Sequence, residues 1–137
     1  MSEGARLAQA ALTLVGAPFR MHGRDPATGL DCVGVVAAAF ARIGRPIDAP
    51  DGYRLRGGSL ARFDNWALAC GLHPVDATGQ SQVGDVLLCE VTAHQFHVMI
   101  DAGDRLVHAN IALARVVASP TPAHWPVRRR WRLQEKE

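Results

Sequence analysis

Apolar residues recur at helical spacing through the first half of this chain and alternate with polar ones from Val83 onward. Helices first and strands afterwards point to an α+β fold with an antiparallel sheet and exclude a doubly wound parallel one. The alternating segments are 86–91, 97–100, 106–109, 115–117 and 127–133, about five short strands with turn residues between them. Ahead of them, Leu7, Ala11, Leu14 and Val15 space a first helix over 3–15 behind Ser2, closed by Gly16 and Pro18. A polar loop over 17–30 leads into a second helix that stops at Gly44. After an irregular stretch over 45–58, Ser59 caps a third helix through Trp66 to Cys70, stopped by Gly71.

With 137 residues, 48% of them apolar, the chain is expected to form a single domain over 1–137. The formal net charge is only +2, but arginines gather at Arg20, Arg24, Arg54, Arg56 and at 128–132. In the last cluster they alternate with Trp125, Val127, Trp131 and Leu133, which reads as a strand with a solvated face and not as a nucleic-acid surface. No apolar stretch is long enough to span a membrane, and the N-terminus lacks the basic start, apolar block and cleavage site of a signal peptide. Synthesis in the cytoplasm without an export signal is the expectation. Three cysteines cannot pair completely, and Cys70 and Cys89 sit inside apolar segments, so both are expected in the core of a chain from a reducing compartment.

Cys32 is different, because it stands where a loop turns into the apolar run Val35-Val36-Ala37-Ala38-Ala39-Phe40. Asp31 is the natural N-cap, which leaves Cys32 at the first helical position, in the positive end of the helix dipole. That field favours thiolate over thiol, and thiolate is the nucleophile. The competing interpretation is a small buried core cysteine.

Two of the six histidines acquire meaning from spacing. Asp101-Ala102-Gly103-Asp104 is a turn signal, and a hairpin centred between Ala102 and Gly103 places His97 directly opposite His108. Met99, Leu106 and Asn110 share their face, while Val98, Ile100, Val107 and Ala109 take the other, so the hairpin should lie inside the sheet with something packed on each side. A helix start bearing a thiol is the obvious partner for buried imidazoles. In that arrangement Cys32 is the nucleophile, His97 the general base that takes its proton and returns it to the leaving amine, and His108 the residue that orients the His97 ring. Asn110 competes for the orienting role, and two satisfied core histidines are the plain alternative. Zinc held by His94, His97, His108 and Cys32 is disfavoured, since the chain has no paired-cysteine motif and His94 and His97 on an extended segment point to opposite faces. No cofactor is called for.

These residues carry a resemblance. Gly16-Ala17-Pro18-Phe19, then Gly29-Leu30-Asp31-Cys32-Val33-Gly34-Val35-Val36, Val83-Gly84-Asp85-Val86-Leu87, His97-Val98-Met99-Ile100 and Leu106-Val107-His108-Ala109 resemble, in order and spacing, the NlpC family of cell-wall cysteine peptidases. The likeness spans nearly the whole chain. It is greatest to short members encoded among tail genes of phages and gene transfer agents, which share a proline-rich loop after the nucleophile helix and a Trp- and Arg-rich final strand. The resemblance implies a papain-like fold, N-terminal helices packed on a C-terminal antiparallel sheet, with Cys32, His97 and His108 in the three catalytic roles. It implies hydrolysis of a peptidoglycan stem-peptide amide, between D-glutamate and a diamino acid, in the cell wall or periplasm and with tail proteins of a virion-like particle as partners. Phe19 stands where the family usually has tyrosine, and Val33 where a small serine is common. Arg20, His22 and Arg24, just ahead of the nucleophile, are candidates to meet stem-peptide carboxylates, and Tyr53 is a candidate to supply the hydroxyl missing at Phe19. A catalytically weak structural tail module, and an amidase-like toxin or acyltransferase using the same triad, are the alternative functions.

Overall fold

Each of the three helices begins at the capping residue its sequence predicts. In the computed structural model, which describes residues 1–47, 59–93 and 95–134, these are α1 (Glu3–Leu12), α2 (Cys32–Arg42) and α3 (Leu60–Ala69). Ser2 Oγ accepts from the Ala5 amide at 3.0 Å, the Asp31 carboxylate from Gly34 at 2.8 Å and Ser59 Oγ from Arg62 at 3.3 Å. The first helix stops earlier than residue 15 because the chain peels away to meet the sheet. Gly16 donates to the Val116 carbonyl at 2.9 Å, and Val116 donates back to Ala17 at 2.8 Å.

The loop over 17–30 is more ordered than its composition indicates. Strands β1 (Arg24–Asp25) and β2 (Gly29–Leu30) form a two-stranded hairpin within it, with Asp25 Oδ1 accepting from the Ala27 amide at 2.9 Å to shape the turn. Two-residue strands leave no periodic trace in a sequence.

The main sheet is antiparallel and has six strands, one more than the alternation indicates: β3 (Leu72–Val75), β4 (Val86–Thr92), β5 (Gln95–Asp101), β6 (Arg105–Asn110), β7 (Arg115–Pro120) and β8 (Val127–Leu133), in the order β3-β8-β4-β5-β6-β7. The extra strand, β3, contains Pro74, and it pairs only with β8 at the edge, where a missing amide is tolerated. The first two helices pack on one face of the sheet, where Leu7, Val36 and Phe40 meet Val98, Ile100, Val107 and Trp131 in the main core. On the other face Leu87, Cys89, Met99 and Leu106 form a smaller cluster under Ala123, Trp125 and Val127. Trp125, expected within the last strand, instead precedes β8 and serves as a cover. Cys70 and Cys89 are buried, as their apolar settings predict.

One register expectation is corrected. The β5–β6 pairs are Ile100 with Val107 and Asp101 with Leu106, so the turn is two residues longer than a hairpin centred between Ala102 and Gly103. Within it the Asp101 carboxylate accepts from the Gly103 amide at 2.7 Å, and Ala102 donates to the Arg105 carbonyl at 2.8 Å. His97 therefore does not face His108; the residue opposite it is Cys89 on β4. A shift of two preserves the alternation of faces, so both histidines keep to one side of the sheet as diagonal neighbours.

The arginines of β8 are paired. Arg132 makes two hydrogen bonds to the buried Asp85, at 2.9 and 3.0 Å, and Arg130 approaches the same carboxylate at 3.6 Å. Arg129 reaches Asp64 at 3.0 Å and Arg128 reaches Glu90 at 2.6 Å. Gly84 lets this corner close, because a Cβ there would strike the backbone of Gly4 in α1. Among the described residues no helix is long and apolar enough to cross a membrane.

Candidate active site

The entrance to α2 is built around one carboxylate. Asp31 is fully buried; besides capping Gly34, it accepts from the His22 amide at 2.8 Å and from Arg24 Nη1 at 3.2 Å. His22 sits in the left-handed region at φ 59° to present that amide, a conformation histidine tolerates better than most residues. Gly34 completes the joint, because a Cβ at this position would collide with the Gly23 carbonyl. The Asp-Cys-x-Gly motif is thus a docking geometry: an acid that gathers loop and helix amides, and a glycine that lets the loop lie against the helix.

This packing buries Cys32 almost completely. Burial pushes its thiol up to about 12, against the pull of the backbone amides of Val98, Val33 and Cys32 itself, and the Asp31 charge pushes the same way as burial. The expectation of a resting thiolate is therefore overturned. Loss of solvation outweighs the favourable end of the helix, and the resting group is a protonated thiol.

The histidines are bonded to each other. His97 Nε2 lies 2.8 Å from His108 Nδ1, the rings standing at 89°, and His108 Nε2 lies 2.6 Å from Ser119 Oγ on β7. Burial, with a smaller contribution from His108, lowers His97 to about 4, and burial lowers His108 as well, so both rings are neutral at neutral pH. Trp125 stands edge-on to His97. Asn110 is occupied elsewhere, its Oδ1 accepting from the Leu113 amide at 3.0 Å.

Cys32, His97 and His108 open onto one cavity of about 740 Å³. Its described wall is mostly apolar, with Phe19, Met21, Val91, Phe96, Ile111 and Trp125, and its polar members besides the histidine pair are His22, Gln95 and Asn110. Phe19 is held there by its own amide, which donates to Ala114 at 2.9 Å, and by Leu30 donating to Pro18 at 2.9 Å. Of the candidate substrate contacts His22 lines the cavity, whereas Arg20 and Arg24 are not among its lining residues and Tyr53 lies outside the described residues. His94 also lies outside them, and among the described residues no group of three or more His, Cys, Asp or Glu is arranged to hold a metal ion.

Two neighbours of the site were not legible beforehand. Ser119 falls just past the expected end of its strand at residue 117, and no motif distinguishes it from a surface serine. The alternation that places Trp125 in the last strand gives no sign of its contact with His97, because the residue lies ahead of β8.

No protein-family model matches the sequence, and no curated protein matches it. Solved structures do. NlpC1 of Trichomonas vaginalis superposes with a TM-score of 0.74 at 17% identity, over 99% of this chain and 45% of that one. NlpC2 of the same organism gives 0.72 at 17% identity, and the chain spans 48% of its length. The NlpC/p60 domain of the peptidoglycan hydrolase SagA gives 0.61 at 23% identity, over 86% of this chain and 89% of that domain. With three helices and a six-stranded antiparallel sheet among the described residues, and a cysteine-led helix packed against that sheet, the chain has the papain-like α+β fold of NlpC/P60 domains.

Proposed function

We propose that this chain is a cysteine peptidase that hydrolyses an amide in peptidoglycan stem peptides, between D-glutamate and a diamino acid, and that it works within a phage-like tail that penetrates the cell wall. The observation that carries the catalytic part is the convergence of Cys32, at a helix N-terminus, with the bonded pair His97 and His108 on one cavity. The choice of bond and the tail setting rest on the sequence likeness to short NlpC members, and the SagA neighbour is itself a peptidoglycan hydrolase.

Because the resting thiol is protonated and His97 is neutral, proton transfer accompanies attack. His97 takes the thiol proton as sulfur bonds to the carbonyl carbon, and the oxyanion that forms meets the Cys32 amide at the open end of α2. Collapse breaks the C–N bond, and His97 delivers its proton to the departing amine. Water, deprotonated by the same imidazole, then releases the thioester as a carboxylic acid and restores the thiol.

Digestion of purified peptidoglycan with mass spectrometry of the new termini tests the reading. Cleavage by the parent protein and at least a thousandfold loss in Cys32→Ala are expected; identical digests from the two proteins refute it. Phe19 and the raised thiol favour a second reading, a weakly catalytic structural module of a tail. The apolar cavity wall favours an acyltransferase or amidase on other substrates, which acyl-donor profiling distinguishes.

A further inference from the structure

Beyond the three residues that carry the chemistry, the short contact between His108 and a hydroxyl on β7 has a consequence for which imidazole nitrogens hold protons. His97 uses Nε2 toward His108 Nδ1, which leaves Nδ1 as its nitrogen for the thiol proton, and His108 uses Nε2 toward Ser119 Oγ. Each neutral ring carries one proton, so the state of one nitrogen sets the other three. We propose that Ser119 is a positioning residue whose oxygen accepts from His108 Nε2–H, so that His108 Nδ1 accepts from His97 Nε2–H and His97 Nδ1 is left with a free lone pair. The inference rests on the catalytic reading of Cys32 and His97.

The reverse direction is chemically unproductive. If the Ser119 hydroxyl donated to His108 Nε2, His108 would donate through Nδ1 to His97 Nε2, and His97 would present an N–H to Cys32. Cys32 is buried as a protonated thiol, so its own hydrogen is the group that needs an acceptor. Only the chain with Ser119 as acceptor provides one. The serine is placed for this by the β6–β7 register, in which Leu106 pairs with Ser119 and His108 with Val117, making Ser119 the diagonal neighbour of His108 on one face. A serine in this position differs from a carboxylate in adding no charge, which keeps the pair neutral.

Nitrogen-15 NMR of the imidazoles in the labelled full chain reads the tautomers without any substrate. Both His97 and His108 are expected in the Nε2–H form in the parent protein, with His108 losing that preference in Ser119→Ala and recovering it in Ser119→Thr, which keeps the hydroxyl on a β-branched side chain suited to a strand. An Nδ1–H form of His108 in the parent protein overturns the proposal, as does a tautomer unaltered in Ser119→Ala. The parent measurement decides even if a variant fails to fold. On peptidoglycan, Ser119→Ala should lower kcat roughly tenfold at unchanged KM and Ser119→Thr should restore it; equal loss in both variants counts against a positioning role. If the parent protein cuts nothing, the peptidase reading fails, while the NMR result still stands or falls on its own.

Discussion

The indole of Trp125 stands edge-on to the imidazole of His97, ring centroids 5.9 Å apart and planes at 87°. It is the point where the segment ahead of β8 folds over the smaller cluster on the sheet's outer face. Burial is the main cause of the low pKa of His97, and Trp125 is part of what covers it.

Trp125→Ala is therefore expected to raise the His97 pKa from about 4 toward its ordinary value and to cost about 1–3 kcal/mol of stability, less than a fully buried tryptophan. Proton NMR titration of the ring measures the first effect and denaturant unfolding the second. An unaltered titration would assign the shielding of His97 to other walls of the cavity.

Asp31 joins stability to thiol reactivity. Asp31→Asn keeps the shape of the cap but removes the charge that helps push the Cys32 thiol up, so stability should fall by about 1–3 kcal/mol while alkylation of Cys32 becomes faster. In the parent protein the same thiol should react about a thousandfold more slowly at neutral pH than in the unfolded chain, the difference between about 12 and an ordinary 9.0. Iodoacetamide labelling followed by peptide mass spectrometry resolves Cys32 from Cys70 and Cys89. Labelling at an ordinary thiol rate in the folded protein would contradict the burial argument.

The same site makes the fold sensitive to acid. Between pH 6.5 and about 4 the unfolded chain takes up a proton on His97 that the folded site refuses, so the stability present above pH 6.5 declines as pH falls through that window and levels off below it. The decline attributable to His97 is about 3 kcal/mol. Urea unfolding at several pH values should show a shallower fall in His97→Asn than in the parent protein over that window, and equal slopes would remove His97 from the account. If His97 is the base of the proposed hydrolysis, activity should have its acid limit near pH 4, where the ring gains a proton and can no longer accept one from Cys32.

Gly34→Ala tests the docking geometry of the motif. The added Cβ runs into the Gly23 carbonyl and crowds the Asp31 carboxylate, so a loss of about 2–4 kcal/mol is expected together with a displaced Cys32. Thermal unfolding measures the loss. A variant as stable as the parent protein would mean that the loop over 20–23 is free to move aside.

Several of these relationships are legible in the residues alone, and the reason is that they are local. Ser2, Asp31 and Ser59 cap the helices they precede because a short polar side chain can reach only the amides of the next turn. The common face of His97 and His108 is legible whichever of the two registers holds, because side chains in a strand alternate with a period of two and the turn is longer by two. Strand β3 is not legible because Pro74 masks an edge position, and the β1–β2 hairpin is too short to repeat.

The sequence by itself determined the order of helices and strands, the caps, and which histidines share a side, all of which follow from spacing along one backbone. Only the tertiary structure decided the protonation of Cys32, the ring contact between His97 and Trp125, and the placement of Ser119 against His108. Those depend on how much water is excluded and on which distant segments meet, and desolvation and diagonal contacts between strands are properties of a packed volume that leave no period in a chain.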